Sequence, residues 1–245
     1  MENNQEEEIE EYETEEEYYA RIIQELNINT DKIKKNLKKY KKKDELIVLI
    51  ESGSLAPPHR MHIGLMEITK KFLEEDKIKK RRVVGGFIIP SSDKYVKQKL
   101  KNDFIPLKHR IKMTKLLIKN SDWMECLDWG FANSKEIKNI LDRILIDKFP
   151  KYNIKSFLVF GIDYYMKHKI FLNNEHICIY RPGYDIKVVQ KMYPKNLIFV
   201  EGTDEDISST LIRKAIREND TKTISKLTDK VICEYIKNNN IFNEK

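Results

Sequence analysis

The sequence is poor in cysteine, with only Cys126, Cys178 and Cys233 in 245 residues, and these three lack the spacing of metal ligands. This argues against a disulfide scaffold or a zinc site and indicates a reducing compartment, so we expect a cytoplasmic protein and leave a nuclear location open. No stretch approaches the ~18 apolar residues of a membrane span, and residues 1–4 lack the basic and apolar regions of a signal peptide. We therefore expect no membrane partner.

Residues 1–45 contain no glycine or proline, and their charge differs from that of the rest. They carry 14 acidic and 9 basic side chains, a net charge of −5, which leaves +12 on residues 46–245 because the whole chain carries +7. We predict that residues 1–45 form a charged N-terminal appendage, either helical or disordered, and that residues 46–245 form one domain. The positive domain would attract anionic substrates, although a generic lysine-rich surface would have the same composition.

Short β-branched segments alternate with helical patterns beyond the appendage. Strands are predicted at 46–51, 83–89, 124–127, 154–160, 177–180 and 197–200. Helices are predicted over 135–148 and from Met61 onward, the latter with an apolar stripe at Leu65, Ile68 and Phe72. The alternation predicts an α/β fold, a doubly wound Rossmann-like parallel sheet with helices on both faces. No GxGxxG follows the first strand, which argues against binding of a finished dinucleotide as in dehydrogenases.

Two polar segments have the residue types of a phosphate site. The first, GSLAPPHRMH at 53–62, directly follows the first predicted strand, and its His59 and His62 can each donate a ring N–H to a phosphate oxygen. The second, ISSTLIR at 207–213, offers hydroxyl residues suited to cap a helix, with Arg213 one turn further along where its guanidinium can reach an anion. Both segments are expected beyond the carboxyl ends of the strands.

Together these segments resemble the two signature motifs of the nucleotidylyltransferase superfamily, roughly GxFxPxHxGH and ISSTxxR. The similarity is strongest to nicotinate/nicotinamide mononucleotide adenylyltransferases. Further matches occur in the expected order at 88–90, Asp93, Tyr95, 105–113, 123–129, 161–163 and 177–183. The resemblance covers about residues 46 to 240.

The resemblance implies an enzyme of NAD biosynthesis that joins ATP, with Mg²⁺, to nicotinate mononucleotide or also nicotinamide mononucleotide. The products would be deamido-NAD or NAD and pyrophosphate, and no dedicated metal site is expected. The implied catalytic residues are His59, His62 and Arg213. The implied ATP contacts are Gly53, Ser54, Lys97, Ser208, Ser209, Thr210 and Arg213. The implied pyridine-nucleotide contacts are Ser54, Leu55, Asp128, Trp129, Gly161, Asp163 and Arg181.

Two alternatives remain open at the level of the sequence. A pantetheine-phosphate adenylyltransferase or a cytidylyltransferase would keep both phosphate motifs and change the acceptor pocket, although Trp129, Asp163 and Arg181 argue against this. A basic nucleic-acid-binding protein is the second alternative, because the pI is ≈ 9.0. No recognisable nucleic-acid-binding motif supports it, so we expect small-molecule partners and no nucleic acid. The sequence leaves open whether the chain forms a homo-oligomer.

Overall fold

The computed structural model describes residues 14–242, except residues 27, 42, 132, 168–175, 194 and 196. Its sheet contains β1 (Glu45–Gly53), β2 (Arg81–Pro90), β3 (Met124–Cys126), β4 (Ile154–Gly161), β5 (His176–Tyr180) and β6 (Leu197–Glu201). All neighbouring strands are parallel, in the order β3-β2-β1-β4-β5-β6. Each predicted strand segment coincides with one of these strands, and helices cover both faces. The predicted doubly wound α/β fold is confirmed.

The helices of the described residues occupy the segments between and around the strands. They are α1 (Glu15–Glu25), α2 (Asp31–Leu37), α3 (Arg60–Glu75), α4 (Asp93–Leu100), α5 (Leu107–Leu117), α6 (Ser134–Lys148), α7 (Ile162–Lys167), α8 (Lys187–Met192), α9 (Ser209–Arg217), α10 (Thr221–Leu227) and α11 (Lys230–Asn238). A short 3₁₀ turn (Lys101–Asp103) follows α4. None of the helices in the described ranges combines the length and the apolar character needed to span a bilayer.

The strand order reverses at β1, and this reversal fixes where a ligand can bind. The chain builds outward from β1 through β2 to β3, then returns to place β4 on the other side of β1. In open parallel sheets of this kind the crevice lies outside the carboxyl ends of the strands at the reversal. Here those ends carry Ser52 and Gly53 on β1 and Gly161 on β4.

The centre of β1 is buried on both faces of the sheet. Leu46, Val48 and Ile50 contribute to one apolar cluster, while Ile47 and Leu49 contribute to the cluster on the opposite face. All five side chains have 0% exposure. A continuous apolar run is what a strand covered by helices on both faces requires, because successive side chains point to opposite sides.

The predicted apolar face of α6 is confirmed and that of α3 is wrong in part. In α6 all five predicted positions are buried: Ile137, Ile140, Leu141, Ile144 and Leu145. In α3 the buried residues are Met66, Thr69 and Leu73, whereas Phe72 is 43% exposed. The cause lies on β2, where a Cβ added to Gly86 would come within 2.7 Å of Met66 Cε. Because Gly86 has no side chain, α3 can face the sheet with Met66. With Met66 on the inner side of the helix, Phe72 lies on the outer side.

The described part of the N-terminal segment forms α1 and α2, which pack on the same core as the sheet. Ile33 and Leu37 are 3% and 2% exposed and belong to the cluster that contains Leu46 and Val48. A Cβ added to Gly85 would lie 2.4 Å from Ile33 Cγ1, so α2 sits directly on the β2 backbone. Residues 1–13 lie outside the described residues.

Candidate active site

The loop after β1 is hydrogen-bonded to Arg110, a residue of α5 with 0% exposure. Its guanidinium donates to the Ser54 carbonyl at 3.0 Å, to the Ile105 carbonyl at 2.8 Å and to Asp93 Oδ1 at 2.9 Å. A buried guanidinium with three acceptors fixes the backbone that it binds. The sequence pattern pointed to this helix but gave no signal that Arg110 supports the loop.

The two predicted phosphate segments meet in the structure. Arg213 Nη1 donates to the Ala56 carbonyl at 2.8 Å, and Ser209 Oγ donates to the Pro57 carbonyl at 2.9 Å. Ser208 caps α9 by accepting from the Leu211 N–H at 3.3 Å. The start of α9 therefore lies against the loop that carries the histidines.

Arg213 is more strongly tied to the protein than the sequence suggests. Its side chain also donates to Asp103 Oδ2 at 3.1 Å and to Thr210 Oγ1 at 3.2 Å, and the residue is only 6% exposed. Asp103 is shared with Arg217, whose Nη1 lies 2.5 Å from Oδ1. Both arginines lower the pKa of this carboxyl against the opposing effect of burial. Arg213 thus holds the loop in place, and its predicted contact with phosphate oxygens remains a prediction.

His59 and His62 lie side by side at the start of α3, with ring centroids 3.8 Å apart. The backbone N–H of His59 donates to Nδ1 of His62 at 3.1 Å. The same Nδ1 lies 3.3 Å from the His59 carbonyl, so Nδ1 accepts from the N–H in one tautomer of the ring and donates to the carbonyl in the other. In the tautomer in which Nδ1 accepts, Nε2 carries the proton and can donate it to a ligand.

Both imidazoles are neutral at physiological pH. Burial lowers the pKa of His59 to about 2, assisted by His62 and Arg60. Burial also lowers the pKa of His62 to about 4, although a hydrogen bond from the ring to the His59 carbonyl acts in the opposite direction. Neutral rings donate one hydrogen bond each, and a polyphosphate that bound beside them would favour their protonated forms.

Two cavities open at the reversal of the strand order, and Asp163 lines both. The larger one, ≈ 540 Å³, includes Ser52, Gly53, Ser54 and the stacked rings of Phe160 and Tyr164, whose centroids are 4.0 Å apart. The smaller one, ≈ 200 Å³, includes His59, His62, Gly161 and Arg181. Because the two cavities share Asp163 as a lining residue, they are suited to two ligands that meet at that boundary.

Several predicted contacts lie in these cavities, and others do not. Leu55 is 1% exposed with φ at +47°, so only its backbone could face a ligand. Trp129 is 37% exposed and stacks near Phe131 at 6.4 Å between centroids. Asp128 lies in a different cavity, next to α2, where it forms an ion pair with Lys115 at 2.5 Å. This geometry gives no support to a pyridine-nucleotide contact by Asp128.

Lys99, and not the predicted Lys97, faces the larger cavity. Both side chains are exposed, but only Lys99 lines the cavity, and its Nζ donates to Ser54 Oγ at 3.1 Å. Tyr95, one of the matched positions, also lines this cavity, together with three residues that the sequence did not indicate, namely Asn133, Ser134 and Lys167. The helical pattern of α4 could have separated the two lysines, because positions two apart lie on opposite faces of a helix.

Comparison with known proteins defines the class to which this chain belongs. The profile of the cytidylyltransferase-like family matches residues 50–215, a span that includes both phosphate segments. The chain is a member of this family, and the expected superfamily relationship is confirmed.

Within this class the similarity extends to individual pyridine-nucleotide adenylyltransferases. A nicotinamide/nicotinic acid mononucleotide adenylyltransferase of Arabidopsis thaliana is 23% identical over 224 residues, which cover 81% of this chain and 90% of the relative. A nicotinamide-nucleotide adenylyltransferase of Drosophila melanogaster is 25% identical over 248 residues, covering 81% of this chain and 62% of the relative. A solved structure from Vibrio parahaemolyticus, to which nicotinate-nucleotide adenylyltransferase activity is attributed, aligns with 81% of this chain and 96% of its own at a TM-score of 0.49 and 16% identity.

Proposed function

We propose that this protein transfers the adenylyl group of ATP to nicotinate or nicotinamide mononucleotide, giving a dinucleotide and pyrophosphate in NAD biosynthesis. The observation that carries the proposal is the pair of cavities that share Asp163, with the two histidines on one side and Ser54 on the other. The relatives named for this activity, of which one is matched over 90% of its length, support the same substrates.

The two cavities suggest separate places for the two substrates. ATP would place its phosphates beside His59 and His62 and its ribose towards Asp163 in the smaller cavity, which moves Gly161, Asp163 and Arg181 from the expected pyridine-nucleotide contacts to the ATP side. The mononucleotide would occupy the larger cavity, where the stacked Phe160 and Tyr164 offer an aromatic wall. Mg²⁺ would enter as part of the ATP substrate, because magnesium often binds through phosphate oxygens and water.

The reaction needs alignment and charge stabilisation more than a base. The 5′-phosphate of the acceptor is already an anion, and one of its oxygens forms a bond to the α-phosphorus of ATP as the bond to the β-phosphate oxygen breaks. Negative charge therefore grows on the departing pyrophosphate. With Nδ1 accepting from the His59 backbone, the Nε2–H of His62 would be a preorganised donor for this charge, and such donors act in the transition state without reorganisation. Arg213 keeps the histidine loop and α9 together and adds positive charge nearby.

Nicotinate mononucleotide is the acceptor that we propose as preferred. Residues 46–245 carry a net charge of +12, and a carboxylate on the pyridine ring would be attracted by such a field. Measurement of kcat/KM for both mononucleotides side by side, with ATP and Mg²⁺ held constant, tests the preference. A higher value for nicotinamide mononucleotide would reverse it.

Turnover assays with several acceptors test the activity itself. We expect dinucleotide and pyrophosphate from ATP with a pyridine mononucleotide, and none from ATP with phosphopantetheine. If ATP reacted with phosphopantetheine and with neither pyridine mononucleotide, the protein would be a pantetheine-phosphate adenylyltransferase. If CTP reacted with an alcohol phosphate, it would be a cytidylyltransferase.

A further inference from the structure

An acidic side chain, Glu51, lies in the apolar interior two residues before Gly53, where the histidine loop begins. Leu49 and Glu51 point to the same face of β1, because alternate side chains along a strand share a side of the sheet. The register neighbours of Glu51 are Ile88 on β2 and Val159 on β4, and both are 0% exposed. Position 51 therefore has the surroundings of a core residue and is occupied by an acid.

The carboxyl group of Glu51 is buried without a partner. The residue is 5% exposed, its Oε2 atom has no hydrogen-bond partner, and it forms no ion pair within the part of the chain that the structure describes. An ionised carboxylate in such a place loses its hydration and gains no compensating contact. Burial alone raises the pKa of Glu51 to about 8. The group is therefore mostly protonated at pH 7 and ionises as the pH rises above that value.

Ionisable side chains on the elements around Glu51 are either neutral or bound to other groups. The imidazoles of His59 and His62 at the start of α3 are neutral, and the thiol of Cys126 on β3 has a pKa raised to about 12. The charged side chains each contact another group, and they are Glu67 and Lys70 on α3 and Arg110 and Lys115 on α5. Among the described residues, none supplies a counter-charge to Glu51, so its proton is what keeps this position neutral.

Glu51 lies where a change of charge would act on the active-site loop. Its Oε1 atom is 3.3 Å from the position that a Cβ on Gly53 would occupy, so the carboxyl group packs against the residue that ends β1. Gly53 and Ser54 line the larger cavity. A negative charge beneath them would repel substrate phosphates across a region of low dielectric. A carboxylate that moved towards water would also displace the backbone that covers it.

We propose that Glu51 is a positioning residue whose proton keeps the loop at 53–62 able to bind the phosphates of the substrates. When the proton leaves, the charge beneath Gly53 opposes the binding of anions and disturbs the start of the loop. This inference rests on the proposed function, because that function places anionic substrates in the two cavities. The coupling is reciprocal: bound phosphate disfavours the carboxylate, so the substrate complex should keep the proton to a higher pH than the free enzyme does.

The pH dependence of turnover tests this role in full-length wild type, Glu51→Gln and Glu51→Met, because both replacements resemble glutamate in shape and carry no charge. Wild-type kcat/KM for ATP should fall about tenfold between pH 7 and pH 9, with a midpoint near the pKa of about 8, and kcat should fall only at higher pH. Both variants should keep their pH 7 value of kcat/KM up to pH 9. Glu75→Gln, at an exposed glutamate of α3, is the matched control and should follow the wild type. Circular dichroism at each pH establishes that the proteins are folded.

Two kinetic outcomes would overturn the inference, namely an alkaline fall that persists in both Glu51 variants and a wild-type profile that does not fall. NMR of the protein without substrate separates the inference from the proposed function. The amide resonances of Gly53 and Ser54 should titrate with a midpoint of about 8 in the wild type and should not titrate in Glu51→Gln. A protein that formed no dinucleotide would refute the proposed function, and the amide titration would still decide the inference. Amides that do not titrate in an active enzyme would overturn the inference alone.

Discussion

Glu51 is a buried acid near the end of β1, and replacing it with glutamine should stabilise the protein in a pH-dependent way. The residue is 5% exposed, and its Oε2 atom has no hydrogen-bond partner among the described residues. Its Oε1 atom lies 3.3 Å from the position that a Cβ on Gly53 would occupy, directly beneath the start of the active-site loop. Burial raises the pKa of Glu51 from 4.5 to about 8.

The size of the effect follows from these two pKa values. The folded protein keeps Glu51 protonated while the unfolded chain releases the proton above pH 4.5, so folding becomes less favourable as pH rises towards 8. The penalty is about 1 kcal/mol at pH 5, about 3 kcal/mol at pH 7 and approaches about 5 kcal/mol above pH 8. Glutamine has nearly the same shape and no proton to lose. Glu51→Gln should therefore remove a penalty that grows with pH.

Urea denaturation of wild type and Glu51→Gln at pH 5, 7 and 8.5 measures this difference. Any fixed cost of placing an amide at this position cancels when values at different pH are compared. The gain in unfolding free energy should increase by about 2 to 3 kcal/mol between pH 5 and pH 7. Glu75→Gln, at an exposed glutamate that pairs with Lys71, should show no such trend. A stability difference that does not change with pH would refute the reasoning, because it would mean that Glu51 titrates normally in the folded protein.

Three further predictions concern the loop and the N-terminal helices. His62→Ala should lower kcat by about 10²- to 10³-fold, as expected for a donor used in the transition state, with only the small drop in melting temperature that loss of its bond to the His59 backbone causes, whereas His109→Ala should keep near-normal kcat; equal kcat in both would argue against the role of the His62 ring. Ile33→Ala should lower the unfolding free energy by about 2 to 5 kcal/mol because Ile33 packs against Gly85, and Ile146→Ala, at a side chain 64% exposed, should change it little. Arg213→Lys should reduce both turnover and unfolding free energy, the latter by about 3 kcal/mol, because the carbonyl of Ala56 and the Asp103 carboxylate lose buried partners; a fully stable Arg213→Lys protein would show that this arginine is free to act on substrate alone.

The strands could be predicted because their signal is local. The run Leu46–Ile50 is continuously apolar and includes three β-branched residues. A run of this kind and length is typical of a strand that is buried on both faces. The orientation of α3 could not be predicted in the same way. Which of several apolar stripes faces the sheet depends on Gly86, a residue distant in sequence whose missing side chain admits Met66. Such steric complementarity has no signature in the helix itself.

The site was predictable to the extent that it consists of short motifs. His59, His62 and the segment at 207–213 were recognisable because their residue types and order carry the chemistry. The helical pattern of α4 separates Lys97 from Lys99 onto different faces, but only the tertiary structure shows which of these faces meets Ser54. Asp128 was expected at the site from its place in the 123–129 match, whereas in the structure it pairs with Lys115 of α5 and lines a separate cavity next to α2.

The positive residues around the two cavities divide into those that hold the protein and those that remain available to substrate. Arg110 and Arg213 donate to backbone carbonyls at Ser54 and Ala56, so planar guanidinium groups fix both ends of one short segment. A guanidinium with several buried acceptors cannot turn to a ligand without leaving a carbonyl unpaired. The amines of Lys99 and Lys167 have no such obligations within the described residues beyond the bond to Ser54 Oγ, and each sits at the end of a flexible stem. Rigid arginines thus set the geometry of the loop, and they leave Ser54 Oγ beside an amine that can move without disturbing that geometry.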